Sequence, residues 1–387
     1  MTRKGHHFRA LNSVGRAQVK QACLILSIAC NVIVLLCLLM LELETYYGDF
    51  NVLSSRRNLG ESRPVGEQSS VRFLDAHQST STPIMQPPTQ RYVIIRDIPV
   101  LLTRSHVTFS EYERLKRYRP PYGWANVSFE DVAAAAEHFN GMLHRSLLNV
   151  SQGGAPVRCA VVGNGGTLRG SGKGKEIDAH DFTFRVNAAI VKDFEGDVGT
   201  RTSFYFHTVT TLKNSLRSAR KYGFVEVPNT TETVYVDIPT FKRDYLFMDA
   251  VLSWKPVQKG EDTSKSPPGL FGYRPKASRF RMLHPDFLSY LKHRWLNSTR
   301  GYGRFEAIYR PSTGAVALLT AVHVCDVTNA YGFITKTWRN YTNHYYEDTF
   351  QKFTFFVNHD FNMEIKLWDD LDRAGIISLY RGNITEG

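Results

Sequence analysis

Two histidines near the carboxyl end of the chain are suited to moving a proton at near-neutral pH. His344 stands in the segment His344-Tyr-Tyr-Glu347, and His359 begins the segment His359-Asp-Phe-Asn-Met-Glu364 fifteen residues later. One imidazole can act as a general base near neutrality, and a second can hydrogen-bond a phosphate leaving group. A single histidine is more often a surface or core residue. The pair therefore indicates chemistry only if other segments bind a phosphate.

A glycine-rich turn is the first candidate for such a phosphate site. The apolar run Cys159-Ala-Val-Val162 leads into Gly163-Asn-Gly-Gly166, and more glycines follow. Glycine lets backbone N–H groups approach a phosphate closely. The dinucleotide-binding fingerprint is excluded because the sixth position from the first glycine is a leucine. A P-loop is excluded because the Gly-Lys pair is followed by glycine rather than by serine or threonine. A tight structural turn remains the alternative.

The second candidate is Arg310-Pro-Ser-Thr-Gly314, directly before the stretch Ala315–Cys325. This stretch is apolar almost all round, which predicts a buried helix. Ser312 and Thr313 are natural N-cap residues for it. Free N–H groups and the helix dipole make such a helix start attractive to anions. An ordinary helix cap that binds no ligand is the alternative.

A pair of acids near the carboxyl end could instead hold a metal. Asp370-Leu-Asp372 matches the Asp-x-Asp pattern with which many nucleotide-sugar transferases bind a divalent cation. It follows Glu364–Trp368 in an amphipathic helical pattern, where consecutive acids more often form a solvated face. Zinc-binding spacings of histidine and cysteine are absent. We expect no metal and no other cofactor, and a metal-dependent transferase using Asp370 and Asp372 stays the alternative.

The elements that must position these residues predict an α/β fold with a mostly parallel central sheet flanked by helices. The candidate strands are Cys159–Val162, Phe182–Val186, Thr233–Ile238, Ala330–Ile334 and Phe353–Val357. Ser128 is predicted to cap a helix, with Asp131 placed for a capping-box contact. No internal repeat interrupts this pattern, so residues 91–387 are expected to form a single domain.

The composition bounds the class of protein. A chain of 387 residues with 42% hydrophobic and 12% aromatic residues can bury a large core. This excludes a disulfide-stapled mini-protein, a collagen-like chain and a wholly disordered one. The net charge is +12, and five of the basic residues lie within the first 20 positions. The remaining positive charge is diffuse, which suits an anionic ligand but not a nucleic acid.

The amino-terminal region predicts a membrane anchor. Residues 22–41 carry no charge, and 20 helical residues span a hydrocarbon core of about 30 Å. Basic residues precede this run and acidic residues follow it, which places the amino terminus in the cytosol. We predict a cytoplasmic tail at 1–21, a transmembrane signal anchor at 22–41, a Ser-, Thr-, Pro- and Gln-rich stem at 42–90 and a lumenal domain at 91–387. A cleaved signal peptide or a buried helix is the alternative.

Cysteines and glycosylation sequons agree with a lumenal domain. Three cysteines fall inside the predicted span, where packing, helix pairing and acylation all stay open: Cys23, Cys30 and Cys37. Outside it the chain has only Cys159 and Cys325, and in an oxidising lumen these are expected to pair. Six Asn-x-Ser/Thr sequons all follow the span and are candidate glycosylation sites: Asn126, Asn149, Asn229, Asn297, Asn340 and Asn383.

Taken in chain order, these segments resemble the motifs of the sialyltransferase family of inverting glycosyltransferases. Residues 159–202 resemble its long motif and residues 311–332 its short motif; His344–Glu347 resembles its third motif and His359–Glu364 its very short motif. Three more segments resemble the N-acetylgalactosaminide α-2,6-sialyltransferase branch: Pro121-Tyr-Gly-Trp124, Met282–Phe287 and Trp368–Tyr380. The short stem is more similar to that of the second member of this branch than to that of the first.

The resemblance implies CMP-sialic acid as the donor, a variant nucleotide-binding glycosyltransferase fold and catalysis without a metal. His359 matches the catalytic base, and His344 matches the residue that hydrogen-bonds the donor phosphate. Cys159 and Cys325 match the family disulfide. The positions that match donor contacts are Asn164, Asn187, Ser312, Thr313, Gly314 and Gly332.

The implied reaction is transfer of sialic acid to O-6 of N-acetylgalactosamine (GalNAc) that is O-linked to Ser or Thr of glycoproteins. The implied location is the Golgi membrane, as a single-pass type II protein with a lumenal catalytic domain. Three alternatives stay open beside it. They are a sialyltransferase for another acceptor such as galactose or a glycolipid, the metal-dependent transferase, and an inactive lectin-like membrane protein.

Overall fold

The computed structural model describes residues 92–141, 146–148, 154–272, 275–301 and 308–383. The predicted tail, membrane anchor and stem (residues 1–90), with Cys23, Cys30 and Cys37, lie outside the described residues, as does Asn149. Within the described ranges, no helix combines the length and the apolar character that crossing a membrane requires.

Within these ranges, seven parallel strands form one sheet in the order β5-β4-β3-β2-β1-β6-β7. The strands are β1 (Arg158–Val162), β2 (Phe182–Val186), β3 (Phe204–His207), β4 (Val234–Asp237), β5 (Phe280–Met282), β6 (Val327–Tyr331) and β7 (Ser378–Leu379). This confirms the predicted α/β architecture with a mostly parallel sheet.

Helices cover the sheet and connect its strands. The α-helices are α1 (Phe109–Leu115), α2 (Phe129–Glu137), α3 (Gly174–Asp178), α4 (Glu195–Val198), α5 (Val209–Ser218), α6 (Lys242–Leu252), α7 (Pro285–Tyr290), α8 (Thr313–Val324) and α9 (Phe361–Arg373). Short 3-10 segments lie at Arg104–His106, Gly166–Leu168, Arg220–Tyr222, Pro267–Phe271, Ala277–Arg279, Thr299–Gly301 and Trp338–Asn340, and a π-helical turn lies at Leu291–Trp295.

The core lies on both faces of the sheet, because successive side chains of a strand point to opposite faces. Phe184 and Phe206 pack on the face that α8 covers. Tyr205 and Tyr235 pack on the opposite face, where α2 and α6 lie against each other. Strands that are buried on both faces are typical of parallel sheets with helices on either side.

The chain order of the strands reverses between β1 and β6. Strands β1 to β5 run outward in one direction, and β6 starts again on the other side of β1. In open parallel sheets, ligands bind at the carboxyl edge beside such a switch point. The turn after β1 and the turn after β6 meet there, and Gly163 N–H donates to the carbonyl of Tyr331 at 2.8 Å.

A disulfide joins the two sides of this switch point. Cys159 in β1 bonds to Cys325, the residue that follows α8, across 166 positions of sequence. In the chain-entropy model a loop of this length stabilises the fold by about 5 kcal/mol. The bond links the strand that carries the glycine-rich turn to the end of the helix that begins at Ser312.

Some predicted elements were wrong or displaced. Residues 353–357 form no strand, and Phe355 and Phe356 are exposed. The strand predicted at Ala330–Ile334 is β6, which begins three residues earlier and ends before Gly332, whose φ of 69° breaks the extended backbone. The sequence prediction omitted β3, β5 and β7; the last two have only three and two residues. Ser128 does cap α2, accepting from Asp131 N–H at 3.2 Å.

Candidate active site

The turns after β1 and β6 pack backbone against backbone. A Cβ atom at Gly163 would lie 2.5 Å from the carbonyl oxygen of Gly332, and one at Gly165 would lie 2.6 Å from the same atom. Gly332 has a left-handed φ of 69°, which L side chains rarely adopt. Gly165 N–H donates to the carbonyl of Gly332 at 2.9 Å. Glycine is therefore required at all three positions, and the two turns form one rigid floor at the switch point.

Asn164 and Asn187 lie at the carboxyl ends of neighbouring strands. Asn164 Nδ2 donates to the carbonyl of Val186 at 3.1 Å, so its side chain reaches the residue before Asn187. Asn187 has a left-handed φ of 52°, and its carbonyl accepts from the hydroxyl of Tyr205 at 2.7 Å. The side-chain oxygen of Asn187 is buried and has no hydrogen-bond partner among the described residues. A buried acceptor of this kind gains stability when a ligand donates to it.

The structure brings His344 to the glycine-rich turn. His344 pairs with Gly165 in an isolated antiparallel bridge, and Tyr345 N–H donates to the carbonyl of Asn164 at 3.1 Å. His344 Nδ1 lies 2.8 Å from Oε1 of Glu347, and the second oxygen of this carboxylate accepts from the backbone N–H of His344 at 2.8 Å. The histidine is therefore held at both its backbone and its ring, with Nε2 left for a ligand.

The carboxylate of Glu347 is kept ionised by its partners. Burial alone would raise the pKa of Glu347, but hydrogen bonds from His344 and Thr342 lower it below its usual value. The Thr342 hydroxyl donates to the carboxylate at 2.7 Å. The carboxylate bonds to Nδ1 and so fixes the orientation of the imidazole ring, which leaves Nε2 as the ring atom that can meet a phosphate.

The start of α8 is fixed by a residue of α9. Ser312 Oγ accepts from Ala315 N–H at 3.0 Å, which makes Ser312 the N-cap of α8. Its hydroxyl and its backbone N–H both donate to the carboxyl group of Glu364, at 2.8 and 3.0 Å. Glu364 is buried, which raises its pKa to about 7 although the bonds from Ser312 oppose this rise. Glu364 therefore positions the helix start rather than facing solvent.

The first turn of α8 lies beside the turn that follows β6. A Cβ atom at Gly314 would lie 3.4 Å from the ring of Phe333, the residue after Gly332. The N–H groups of Thr313 and Gly314 belong to the first helical turn and have no acceptor within the helix. Unsatisfied donors at a helix start attract negative charge. The structure therefore places the second predicted anion site next to the first.

His359 is held in one tautomer by the backbone. Its Nδ1 lies 2.8 Å from the carbonyl of Arg310, and because a carbonyl only accepts, Nδ1 carries the proton. The lone pair is then on Nε2, which lies 3.4 Å from the side-chain amide of Asn358. Burial lowers the pKa of His359, and the charge of Arg310 lowers it further, while the bond to the Arg310 carbonyl opposes these effects. A neutral ring with its lone pair on Nε2 is the form that a general base requires.

A small cleft opens beside Arg310, whose carbonyl holds His359. Its volume is about 30 Å³, and its walls are mostly apolar residues from the ends of β3 and β4, from α7 and from the first turns of α8. Arg310 and Thr313 line it, so it adjoins both the backbone that holds His359 and the start of α8.

The Asp-x-Asp pair has other partners. Asp370 forms an ion pair with Arg373, and Asp372 accepts from Arg381 at 2.7 Å and from Leu379 N–H at 2.9 Å. No group of three His, Cys, Asp or Glu side chains in the described part of the chain could hold a metal ion. Asp372 therefore secures the end of α9 to β7, Asp370 is paired within α9, and this geometry gives no support to the metal-dependent alternative.

The remaining predicted sites are on the surface. Five sequon asparagines fall within the described residues and are exposed: Asn126, Asn229, Asn297, Asn340 and Asn383. Their glycosylation stays a prediction.

Three features of the site were not predicted from the sequence, because each depends on how distant segments meet. They are the bond from His359 Nδ1 to the Arg310 carbonyl, the buried Asn187 oxygen without a partner among the described residues, and the bond of 2.9 Å from Arg300 to the His359 carbonyl.

This site, at the switch point of a parallel sheet, is that of a sugar-nucleotide transferase. The family model for glycosyltransferase family 29 (sialyltransferase) matches residues 101–376. The chain therefore belongs to glycosyltransferase family 29, the sialyltransferases, as the order of its motifs predicted.

Two relatives and a solved structure describe its place in the family. The chain is 43% identical over 300 residues to alpha-N-acetylgalactosaminide alpha-2,6-sialyltransferase 2 of Homo sapiens, covering 77% of this chain and 80% of the relative. It is 38% identical over 296 residues to alpha-N-acetylgalactosaminide alpha-2,6-sialyltransferase 1 of Gallus gallus, covering 75% of this chain and 52% of the relative. A crystal structure of a mammalian sialyltransferase matches with a TM-score of 0.54 and 25% identity, covering 75% of this chain and 92% of that one.

Proposed function

We propose that this sialyltransferase transfers sialic acid from CMP-sialic acid to O-6 of GalNAc that is O-linked to Ser or Thr of glycoproteins, in an α-2,6 linkage. The observation that carries the chemistry is the bond from His359 Nδ1 to the Arg310 carbonyl, because it leaves Nε2 unprotonated. The choice of acceptor is supported by the names of the relatives that are 43% and 38% identical, both of which are alpha-N-acetylgalactosaminide alpha-2,6-sialyltransferases.

In this proposal His359 is the general base. As the acceptor O-6 forms a bond to the anomeric carbon of sialic acid, Nε2 of His359 takes the hydroxyl proton. The bond from that carbon to the phosphate oxygen breaks, and CMP leaves with the electron pair. Because attack and departure occur on opposite faces of the carbon, its configuration inverts. The depressed pKa of His359 keeps the base unprotonated at near-neutral pH.

The donor is held by fixed dipoles and one histidine. His344, supported by Glu347, would hydrogen-bond the departing phosphate through Nε2. The N–H groups at the start of α8, Thr313 and Gly314, would face the nucleotide together with Asn164, Asn187 and the turn at Gly332. Preorganised donors stabilise developing negative charge without reorganising during the reaction. A single phosphate as the leaving group makes such stabilisation sufficient without a bound cation.

The same proposal places the protein in the Golgi membrane, with residues 1–21 in the cytosol and residues from 42 onward in the lumen. The charge change across residues 22–41 and the disulfide between Cys159 and Cys325 support it. Protease treatment of sealed microsomes tests it. The lumenal part should be protected until detergent is added, whereas digestion before detergent would contradict this orientation.

The reaction is tested with the purified full chain and CMP-sialic acid. The acceptors are a GalNAc-threonine peptide, the same peptide with galactose on GalNAc, and a lactose-type galactoside. We expect a product whose sialic acid is on O-6 of GalNAc, as determined by NMR. Transfer to the galactoside alone would contradict the acceptor assignment, and donor binding with no transfer to any acceptor would favour the lectin-like alternative.

A further inference from the structure

A cluster of five aromatic rings, two of them exposed and three half-buried, lies beside His359. We call it the aromatic surface; its members are Trp338, Phe353, Phe355, Phe356 and Phe361. Trp338 lies 5.9 Å from Phe353 and 5.2 Å from Phe355 between ring centroids, and Phe353 lies 4.9 Å from Phe361. Phe355 is 41% exposed and Phe356 is 56% exposed. Large exposed apolar patches on soluble domains usually mark interaction sites.

The aromatic surface is continuous with the proposed base. The ring of Phe361 lies 5.4 Å from that of His359, and the ring of Phe356 lies 6.5 Å from it. Arg300 donates to the carbonyls of Val357 and His359, at 3.0 and 2.9 Å, and so fixes the backbone on both sides of this junction. The rings therefore have a defined position relative to the atom that takes the proton.

The geometry of the proposed acceptor brings its carrier to this surface. In GalNAc linked to Ser or Thr, the reacting O-6 and the glycosidic oxygen are separated by a single pyranose ring. When O-6 lies at Nε2 of His359, the polypeptide must therefore pass within one sugar's width of this ring. The exposed ring of Phe356 lies at about that distance, and the exposed ring of Phe355 lies 6.0 Å from Phe361, whose ring is next to that of His359.

We propose that the aromatic surface binds the polypeptide that carries the acceptor GalNAc, and that it favours extended, proline-rich segments. This inference rests on the proposed function. O-glycosylated stretches are rich in Ser, Thr and Pro, and aromatic-lined surfaces bind the preformed polyproline II conformation at low entropic cost. Arg339 lies 4.5 Å above the ring of Trp338, and Lys352 is exposed nearby in sequence, so the rim disfavours a basic peptide.

The test compares acceptors that share a sugar and differ in its carrier. Three are used: a GalNAc-threonine peptide with flanking prolines, the same peptide with glycines in their place, and methyl α-GalNAc. Full-chain Phe355→Ala and Trp338→Ala are measured beside Phe109→Ala, which removes another exposed phenylalanine, 69% exposed, from α1. Phe355→Leu serves as a milder variant, and CMP affinity checks that each protein folds.

We expect KM for the proline peptide to rise about tenfold in Phe355→Ala and Trp338→Ala, because truncating an aromatic contact residue commonly costs this much affinity. The rate constant kcat should stay within about twofold, and Phe355→Leu should fall between wild type and Phe355→Ala. The preference of the wild type for the proline peptide over the glycine peptide should disappear in both alanine variants. KM for methyl α-GalNAc, and all values for Phe109→Ala, should match the wild type.

Three results would overturn the inference. Equal losses with methyl α-GalNAc would show that the rings only support the site. Unchanged KM values combined with loss of binding to phosphatidylcholine and phosphatidylserine vesicles would assign the surface to a membrane. If the wild type sialylates the lactose-type galactoside but none of the three GalNAc acceptors, the proposed function fails and the inference fails with it.

Discussion

His359 and Arg310 are joined by a bond of 2.8 Å from the imidazole Nδ1 to a main-chain carbonyl, although 49 positions separate them in sequence. A second hydrogen bond joins the same two segments, since Arg310 N–H donates to the carbonyl of Asn358 at 2.8 Å. Two residues after Arg310, Ser312 is bound by Glu364. The segment that precedes α8 is thus clamped between two residues near the start of α9. Residues 310–312 therefore fix both the proposed base, His359, and the start of α8.

Replacing His359 tests the proposed base. His359→Gln retains a side chain that can bond to the Arg310 carbonyl but cannot accept a proton, so kcat should fall by about 10²- to 10⁴-fold. Affinity for CMP, measured by calorimetry, should stay near the wild-type value. His138→Gln, at a histidine bonded to Asp249 between α2 and α6, is the matched control and should keep full activity. Wild-type turnover in His359→Gln would remove this residue as the base.

The decline of kcat/KM on the acid side of the pH profile should occur at an unusually low pH for a histidine base. Burial lowers the pKa of His359 below 6.5, and the unprotonated ring is the active form. As pH falls, kcat/KM should therefore decrease at a lower pH than it would for a histidine with the ordinary pKa of 6.5. Initial rates between pH 5 and 8, in buffers of constant ionic strength, measure this decline. A decline centred near 7 would contradict the assignment and would point to Glu364, whose pKa is raised to about 7.

Glu364 should make stability depend on pH in an unusual direction. Burial raises the pKa of its carboxyl group from 4.5 to about 7 in the folded protein. Between these values the folded state binds a proton that the unfolded chain releases, so stability decreases as pH rises. Protonated Glu364 therefore contributes about 3 kcal/mol to the free energy of unfolding at low pH, and this contribution is lost as pH rises from 4.5 to 7. Denaturant unfolding at pH 5 and pH 8 should show this loss for wild type.

The loss should be absent in Glu364→Gln, whose side chain does not titrate. At pH 8 this variant should therefore be more stable than wild type, and at pH 5 the two should be similar. The exposed Glu226→Gln is the control, and it should follow the wild-type dependence. If Glu364→Gln loses stability between pH 5 and pH 8 as steeply as wild type does, the burial of an unfavourable charge at this position is refuted.

Residue type and local spacing were enough to find the parts of the site that are contiguous in sequence. Ser312 before an apolar helix, and glycines after an apolar strand, show their roles within a few residues. The contacts between these parts were not predictable in this way. The bonds from His359 to the Arg310 carbonyl and from Ser312 to Glu364 join segments about 50 positions apart. Their existence depends on how α8 and α9 pack, which no local pattern encodes.

The strands of the sheet also depend partly on local sequence and partly on tertiary packing. Apolar runs such as Phe182–Val186 predicted strands of the parallel sheet. The aromatic alternation in residues 353–357 has the same local pattern but forms no strand and is exposed. A strand needs a partner edge as well as a pattern, because its backbone groups must be hydrogen-bonded. The availability of an edge is a tertiary property, so the two runs could not be distinguished from sequence.

The Asp-x-Asp pair should be dispensable for turnover. Asp370 is paired with Arg373, and Asp372 with Arg381 and with Leu379 N–H. Asp370→Asn should keep near-wild-type kcat/KM, and Asp372→Asn should lose stability by about 1 to 3 kcal/mol because it breaks a charge-assisted contact to β7. EDTA should leave the initial rate unchanged. Loss of activity that Mn²⁺ restores would instead establish the metal-dependent mechanism.

Gly332 should be intolerant of any side chain because it packs against the glycine-rich turn that follows β1. In Gly332→Ala the new Cβ would lie 2.5 Å from Leu168 Cδ1 and 2.8 Å from the carbonyl of Gly163, so the two turns must separate. Gly375→Ala is a matched control, since its φ of 68° imposes the same left-handed strain while nothing lies within 4 Å. Both variants should lose about 1 kcal/mol of stability from this strain.

Only Gly332→Ala should weaken CMP binding, by at least about tenfold, since it alone displaces the glycine-rich turn that carries Asn164. Calorimetric titration of CMP into both full-chain variants, with thermal unfolding recorded in parallel, separates strain from displacement. Equal CMP affinities in Gly332→Ala and Gly375→Ala would show that the donor does not bind at the switch point between β1 and β6. Since His344 is paired with Gly165 of the same turn, that result would also remove the phosphate-binding role assigned to His344.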